Sequence, residues 1–413
     1  MGFLGVLFFV VATALPYLFP VFTLPEPAGP HKVGTVSYHF TDSSRSEVYT
    51  SDSADYRELM VQFWYPADPA AGARTGLYKP DADVEGIAMA NAFGGPSFIF
   101  DHLKLIRSHS FAEAPVSKKQ QSYPVIVFSH GHAYFATRTQ NTILAEDLAS
   151  HGYIVVGIDH TYESTATVFP DGRIVWVDTG LVASRRRTRK KGPVRDSLLN
   201  VLALSKNPLE RSNAANQLRE FNGLFEESIP VWSADARFVL NRIELLNTNA
   251  LTPFAGKIHP TKVGIVGMSF GGANAAQTSR LDSRFKAGIN MDGFQYGDVV
   301  EAGLDQPFMF MYSESNADMN NFAYGQFRNT VYTVKIRGSN HSNFSELSLI
   351  APVLNQLFAG SKIDSRRCLK IINSYVLAFF ERHLNVRNAQ LLDGPSIEYP
   401  EVVIETRKSN DVR

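Results

Sequence analysis

One short segment of the sequence has the spacing of a reactive serine. Residues 267–271 read GMSFG and match the pattern G-x-S-x-G, with Ser269 at the centre. In hydrolases with this motif the serine lies on a sharp turn between a strand and a helix, where its hydroxyl is exposed. The apolar run Lys262–Met268 predicts that strand, and glycine is expected at Gly267 and Gly271 because side chains there would collide with neighbouring backbone. The motif predicts nucleophilic attack by Ser269 on a carbonyl carbon.

A serine nucleophile needs a base, and histidine is the usual one. In hydrolases of this kind the chain order is serine, acid, histidine. Of the 11 histidines, only His341 and His383 follow Ser269. His383 lies in the helical pattern FFERHL, whereas His341 follows the predicted strand Tyr332–Arg337, at the sheet edge where a base is needed. We therefore predict that His341 is the base.

The acid has three candidates when only the residue pattern is considered. Asp292 directly follows the predicted strand Phe285–Met291, the first strand after the serine motif. Glu314 and Asp318 follow the next strand, which is where most hydrolases with this chain order carry the acid. The pattern leaves the choice between the two positions open.

Acyl transfer also needs N–H donors for the oxyanion of the tetrahedral intermediate. One donor is expected from the backbone N–H of Phe270, the residue after the nucleophile. The second is expected from the loop after a neighbouring strand, here the predicted strand Pro124–Ser129. That loop continues as HGH, and we assign its donor to the backbone N–H of His132. His160 ends the next predicted strand, but it precedes Ser269 and fits the role of base poorly.

These residues need a scaffold in which several strands end at one edge. Short β-rich runs alternate with helical patterns, which predicts an α/β protein with a mostly parallel sheet. We predict that Val33–Phe40 and Glu58–Tyr65 form an antiparallel opening pair and that Arg366–Leu384 forms a closing helix. Further strands are predicted at Pro124–Ser129, Tyr153–Asp159, Lys262–Met268, Phe285–Met291, Pro307–Ser313 and Tyr332–Arg337, and further helices at 139–150, 231–246 and 273–280.

The first 24 residues form an apolar segment without charged side chains from Gly2 onward. Its most apolar part, residues 3–15, is shorter than the roughly 20 residues that span a bilayer, and Pro16 and Pro20 follow it. Three interpretations stay open: a membrane anchor, a secretory signal, or a helix buried in the domain. We expect contact with a membrane through residues 3–24 and a membrane-associated or secreted protein, with the cytoplasm as the alternative.

The sheet pattern stops between Asp178 and Ile229, which is long for a connection. We interpret residues 178–230 as a lid or cap inserted into a domain of residues 25–413. The insertion carries the basic run RRRTRKK at 185–191, followed by Arg195. Such a run attracts anionic lipid headgroups or forms a solvated loop, and the sequence does not decide between them.

Composition excludes several other classes of protein. The 413 residues are 44% apolar, which is enough for a large core and argues against disorder. Lys+Arg and Asp+Glu both number 40, so a globally basic surface for nucleic acid is not expected. Cys368 is the single cysteine, and the side chains of His130 and His132 have no third ligand cluster nearby. We predict no metal, no cofactor and no nucleic-acid partner.

Five segments together resemble a known family. They are SHGHAYFATRTQNTILAEDLASHGYIVVGIDH, GMSFGG, INMDG, IRGSNHSNF and NSYVLAFFERHL. They are similar to the platelet-activating factor acetylhydrolases of the plasma and intracellular type II kind, within the dienelactone-hydrolase-like α/β-hydrolases. The likeness runs from about residue 33 to 384, with gaps at 70–120 and 180–230. It implies an α/β-hydrolase fold, with helices on both faces of the sheet and an inserted lid or cap.

The resemblance also implies an activity. It implies a calcium-independent serine esterase that releases short or oxidised sn-2 acyl groups from phospholipids. It implies that Asp292 is the acid and that Phe270 and His132 supply the oxyanion donors. Many relatives have an apolar residue at the position of His132, so the substrate stays open. The alternatives are a general carboxylesterase, lactonase or polyester hydrolase without phospholipid preference, and a non-catalytic, membrane-tethered binding protein on the same fold.

Overall fold

Most of the strands form one large sheet in the computed structural model, which describes residues 13, 16–132, 135–180, 183 and 192–408. In chain order the strands are β1 (Lys32–Ser46), β2 (Tyr56–Ala67), β3 (Thr75–Leu77), β4 (Arg107–Ala112), β5 (Tyr123–Ser129), β6 (Ile154–Ile158), β7 (Ala166–Val168), β8 (Ile174–Trp176), β9 (Ile258–Met268), β10 (Phe285–Met291), β11 (Phe308–Ser313), β12 (Val331–Ile336) and β13 (Val402–Arg407).

The sheet has 11 strands in the order β13-β12-β11-β10-β9-β5-β6-β2-β1-β4-β3, and β7 and β8 form a separate hairpin. The run from β12 to β6 is parallel throughout. Strand β2 pairs antiparallel with β6, and β13 pairs antiparallel with β12. The predicted mostly parallel α/β sheet is confirmed. Because parallel strands end at one edge, the loops after β5, β9, β10 and β12 meet there.

Helices connect these strands and cover the sheet. They are α1 (Ala82–Phe93), α2 (Thr142–Ser150), α3 (Pro193–Leu204), α4 (Pro208–Asn222), α5 (Leu224–Thr248), α6 (Phe270–Leu281), α7 (Val299–Ala302), α8 (Asn321–Tyr324), α9 (Leu347–Ile350), α10 (Pro352–Ala359) and α11 (Ser365–His383). Short 3-10 turns lie at Ser97–Leu105, Glu314–Asn316, His341–Phe344 and Gln390–Leu392.

The apolar faces of these helices form two cores, one on each side of the sheet. On one side Leu148 of α2 and Phe379 of α11 pack against the strands. On the other side Val239 and Ile243 of α5 do so. All four side chains are fully buried, and burial of each contributes about 1.5–3 kcal/mol to folding. Helices on both faces are therefore confirmed as predicted.

The opening antiparallel pair was predicted correctly, and its register runs from Lys32 opposite Ala67 to Asp42 opposite Arg57. The segment 70–120, a gap in the resemblance to the family, contains β3, α1, a 3-10 turn and β4. The edge strand β13 was not predicted. It is a short strand after a loop rich in turn residues, and only its pairing with β12 identifies it.

The apolar N-terminal segment lies partly outside the described residues, because its positions 1–12 and 14–15 are not described. Within the described part, Leu24 is buried and Phe19 and Phe22 pack beside it, against Phe100 and Tyr78. The last residues of the segment thus belong to the core of the domain. Among the described residues, no helix combines the length and the apolar character needed to cross a membrane.

The predicted insertion contains helices rather than strands. Helices α3 and α4 lie within residues 178–230, and the basic run at 185–191 lies outside the described residues. Helix α5 begins at Leu224 and continues through Pro230 to Thr248. The chain therefore has no boundary at residue 230, where the pattern placed the end of the insertion. Arg195, at the start of α3, lies over the ring of Phe294, 4.6 Å from its centroid.

Candidate active site

Ser269 lies on the turn between β9 and α6, as the motif predicts. Its φ is 56°, a left-handed conformation that is strained for a residue with a side chain. The two glycines of the motif permit this turn. A Cβ on Gly267 would lie 2.0 Å from the carbonyl oxygen of Gly271, and one on Gly271 would lie 2.1 Å from that of Ser129. The turn is thus packed too closely for any side chain at either position.

The acid candidate Asp292 follows β10, the strand beside β9. The backbone N–H of Ser269 donates to the carbonyl of Met291 at 2.7 Å. A Cβ on Gly293 would lie only 1.9 Å from the carbonyl oxygen of Ser269. The ends of the two strands therefore hold Ser269 and Asp292 side by side. Asp292 also has a φ of 56°, so both residues occupy left-handed turns.

In the structure the side chain of the predicted base, His341, contacts the carboxylate of Asp292. Nδ1 of His341 lies 2.7 Å from Oδ2 of Asp292. The Asp292 side chain is fully buried, whereas the His341 side chain is 45% exposed. A carboxylate bonded to Nδ1 fixes the tautomer with the proton on Nδ1 and leaves Nε2 free to accept a proton. Asn340 caps the short turn that begins at His341, because its side chain accepts from the N–H of Asn343.

Two further side chains hold the carboxylate of Asp292. The backbone N–H of Ser313 donates to Oδ1 at 2.7 Å, and its hydroxyl donates to Oδ2 at 3.0 Å. The side-chain amide of Asn316 donates to Oδ2 at 2.8 Å. Ser313 is the last residue of β11, and Asn316 lies in the following loop, which also holds the alternative acids Glu314 and Asp318. Their role could not be predicted from the sequence, because no spacing rule marks a residue that supports the carboxylate of an acid candidate.

The loop after β5 lies beside the serine turn. A Cβ on Gly131 would be 3.5 Å from Cβ of Ser269. The Gly131 N–H donates to Oε1 of Gln140 at 2.6 Å, which anchors the loop. The rings of His132 and Phe270 meet edge to face with centroids 6.0 Å apart. Both residues predicted to supply oxyanion donors are therefore neighbours at the nucleophile.

An aromatic cluster from α5 and the loop after β10 packs against these two residues. Phe225 contacts the rings of His132 and Phe270, each at a centroid distance of 5.6 Å. Phe225 also stacks on Tyr296 at 5.1 Å, and Trp232 meets Phe270 edge to face at 4.8 Å. The sequence did not reveal this wall, because the pattern assigned Phe225 to the insertion and gave no register for it.

Among the described residues, no group of three or more His, Cys, Asp or Glu side chains is arranged to hold a metal ion. His130 and His160 make hydrogen bonds within the protein instead. His383 is in α11, where burial lowers its pKa to about 4, and its ring packs on Phe379 and Tyr332.

The model of one protein family, described as platelet-activating factor acetylhydrolase, isoform II, matches residues 18–173 and 236–394. The chain belongs to this family. The matched residues include the serine motif, Asp292, His341 and the loop after β5. The unmatched residues 174–235 contain α3, α4 and the start of α5, so the aromatic residue Phe225 lies outside the part that the family model describes.

Individual relatives agree with this membership. A platelet-activating factor acetylhydrolase of Cavia porcellus is 26% identical over 389 residues, which cover 88% of this chain and 78% of the relative. A probable 1-alkyl-2-acetylglycerophosphocholine esterase of Arthroderma benhamiae is 27% identical, over an alignment that covers 95% of this chain and 97% of that relative. Among solved structures, a ferulic acid esterase from Streptomyces cinnamoneus matches with a TM-score of 0.69 and 26% identity, over 92% of this chain and 98% of its own. The α/β-hydrolase fold is thereby confirmed.

Proposed function

We propose that this chain is a serine ester hydrolase of phospholipids that releases short sn-2 acyl groups through a Ser269–His341–Asp292 triad. The observation that carries the proposal is the 2.7 Å contact between His341 Nδ1 and Asp292 Oδ2, beside a serine on a strained strand–helix turn. Membership in a family of acetylhydrolases supports the ester substrate. Relatives named for platelet-activating factor and for alkylacetylglycerophosphocholine support the phospholipid class.

Acylation begins when Nε2 of His341 takes the proton of the Ser269 hydroxyl while Oγ attacks the ester carbonyl. The backbone N–H groups of Phe270 and His132 stabilise the resulting oxyanion, and loss of one such donor costs about 10²–10³ in kcat. Asp292 stabilises the imidazolium that forms. The tetrahedral intermediate then collapses, and His341 gives its proton to the leaving alkoxide, which departs as the lysophospholipid.

Deacylation repeats the sequence with water in the place of serine. His341 takes a proton from water as the hydroxyl attacks the acyl-enzyme carbonyl, and the proton returns to Ser269 Oγ when the acid is released. Phe225, Trp232 and Tyr296 lie against the two oxyanion residues. We propose that this aromatic wall restricts the acyl chain to short lengths.

A second candidate is an esterase without phospholipid preference. The similarity to a ferulic acid esterase favours it, because that enzyme aligns over 92% of this chain.

The N-terminal segment bears on whether the enzyme acts on lipid at a membrane. Phe19, Phe22 and Leu24 pack in the core, whereas Val21 is 57% exposed, so membrane contact of this segment would fall to its exposed and more N-terminal apolar residues. We propose that those residues bring the enzyme to its lipid substrate.

The test is acyl release by the full chain, with Ser269→Ala as control, on an sn-2-acetyl phospholipid in vesicles and on a simple acetate ester in parallel. Serine-dependent hydrolysis that favours the phospholipid supports the proposal. Hydrolysis of the simple ester alone keeps the triad and replaces the phospholipid assignment by the second candidate. If Ser269→Ala hydrolyses both substrates as fast as the wild type does, the proposed chemistry is contradicted.

A further inference from the structure

A second serine–histidine–aspartate array lies buried behind the loop after β5. We call this segment, residues 129–132, the oxyanion loop because it carries the proposed N–H donor of His132. Nε2 of His160 is 3.1 Å from Oγ of Ser129, and Nδ1 of His160 is 2.9 Å from Oδ2 of Asp235. All three side chains are fully buried, and the carbonyl of Ser129 lies against the Gly271 backbone. Substrate cannot reach Ser129 in this arrangement. The array therefore has a task other than nucleophilic attack.

The protons of the array can be assigned. Burial opposes ionisation of Asp235, but the Arg57 guanidinium, 2.7 Å away, and the bonds from His160 and Arg57 outweigh it and lower the pKa of the carboxyl. Burial also lowers the pKa of His160, so its imidazole is neutral. Nδ1–H then donates to Asp235, and Nε2 accepts the hydroxyl proton of Ser129. Ser129 Oγ in turn accepts from the Asn274 amide at 2.9 Å.

The backbone of His160 makes a second contact with the oxyanion loop, in addition to the one that its side chain makes. Its backbone N–H donates to Nε2 of His130 at 3.1 Å, and Nδ1 of His130 bonds to the carbonyl of Gly131. Burial lowers the pKa of His130 well below its usual value, which keeps Nε2 an acceptor. The His160 ring stacks on Trp232 at 3.8 Å and 12°. The ring is thus fixed by its neighbours on α5.

We infer that His160 is a positioning residue of the oxyanion hole. It binds Ser129 through its side chain and His130 through its main chain, and these residues lead directly to the N–H of His132. Through Asp235 it ties the loop to α5, and through Ser129 and Asn274 to α6, the helix that presents Phe270. The two proposed donors therefore share one rigid support. This inference rests on the proposed function, because it assigns a role within that reaction.

The experiment compares Ser129→Ala and His160→Phe with the wild type. Phenylalanine keeps a planar ring for Trp232 and the backbone N–H for His130 but removes both ring nitrogens. The first measurement is kcat and KM on a simple acetate ester across pH. The second is the inhibition constant of a methyl trifluoromethyl ketone, whose tetrahedral hemiketal adduct with Ser269 places an oxyanion between the two donors.

We expect kcat to fall roughly tenfold to a hundredfold in both variants, less than the 10²–10³ lost with a whole donor. KM should change little, and the inhibition constant should rise by the same factor as kcat falls. The acid limb of the kcat/KM profile should stay in place, because His341 and Asp292 are untouched. The matched control is His151→Phe, a histidine near the opposite end of β6, which should leave all three quantities unchanged.

A fall in kcat without a rise in the inhibition constant would overturn the inference, as would wild-type values in Ser129→Ala. If His160→Phe does not fold, Ser129→Ala decides alone, since it removes one oxygen atom. An inactive wild type would contradict the proposed function instead. An active wild type with unaffected variants would contradict only the role of His160.

Discussion

Asn316 donates a hydrogen bond of 2.8 Å to Oδ2 of Asp292, the same carboxylate oxygen that His341 approaches at 2.7 Å. Asn316 belongs to the loop after β11, whereas Asp292 follows β10. The loop after β11, where most hydrolases with this chain order carry the acid, thus provides a hydrogen-bond donor to Asp292 rather than the acid itself. With Oδ1 held by the N–H of Ser313, the carboxylate can present only one orientation to the imidazole.

Replacing Asn316 should therefore weaken catalysis without unfolding the protein. A hydrogen bond to a charged group contributes about 1.5–3 kcal/mol. We expect Asn316→Ala to lower kcat/KM about tenfold or more, because Asp292 loses both orientation and one donor. Ester hydrolysis and thermal melting measure the two effects. Asn329→Ala, in which the lost amide bonded an exposed loop carbonyl, is the control. An Asn316→Ala enzyme as active as the control would contradict this role.

The choice of acid can be tested directly. Asp292→Asn keeps the shape of the side chain but gives His341 the wrong partner at Nδ1, and a comparable change in a known triad costs about 10⁴ in kcat. Asp318→Asn should leave hydrolysis near the wild-type rate. The measurement is kcat for both variants on one acetate ester. A crippled Asp318→Asn with an active Asp292→Asn would move the acid to the loop after β11.

The residues of the proposed triad could be located in the sequence because their positions follow from chain order and strand ends. Ser269 needed only the five-residue motif and its flanking pattern. Asp292 could not be separated from Glu314 and Asp318 by pattern, since both strands end at the same edge. The resemblance to the family favoured Asp292, and the contact with His341 agrees with it.

The rest of the site could not be predicted, for physical reasons. Asn316 and Ser313 act through hydrogen bonds that depend on how two loops meet in space. Phe225 reaches the site because α5 continues through Pro230, where proline normally argues for a break. The sequence pattern places a helix only at 231–246, so it left Phe225 in the insertion rather than on α5. Long-range packing decided these positions.

Phe225 should control acyl length. It contacts the rings of His132 and Phe270 and stacks on Tyr296, so its removal opens space beside the reacting carbonyl. We expect Phe225→Ala to raise the ratio of kcat/KM for a hexanoyl ester over an acetyl ester roughly tenfold, the effect of a few methylene contacts. Phe238→Ala, on the same helix but beside Phe40, is the control. A ratio that stays at the wild-type value would exclude Phe225 from the acyl site.

The serine turn should not tolerate a methyl group at its second glycine. In Gly271→Ala the new Cβ would lie 2.1 Å from the carbonyl oxygen of Ser129, far inside van der Waals contact, so backbone must move. We expect destabilisation of about 3 kcal/mol or more and loss of esterase activity. Gly325→Ala is the control, because no atom lies within 4 Å of its Cβ position. Urea unfolding compares the two. Equal midpoints would show that the turn has more room than its geometry indicates.

Glu346 gives a prediction about pH and stability. This carboxyl is fully buried in the chain just after His341, where it accepts from the Tyr78 hydroxyl at 2.8 Å and the Ile143 N–H at 2.6 Å. Burial raises its pKa to about 7, and Lys79 and these hydrogen bonds offset burial only in part. The folded protein therefore holds a proton that the unfolded chain, with an ordinary glutamate, releases at lower pH.

The folded state consequently loses stability as pH rises from about 4.5 to 7. Its free energy of unfolding should fall by about 3 kcal/mol over that range through Glu346, at about 1.4 kcal/mol per pKa unit. Glu346→Gln cannot titrate, so the difference in unfolding free energy between wild type and variant should change by that amount across the window and stay flat outside it. Glu405→Gln, at an exposed position on β13, should show no such change. A constant difference between Glu346→Gln and wild type from pH 4.5 to 7 would mean that Glu346 is already ionised in the folded protein.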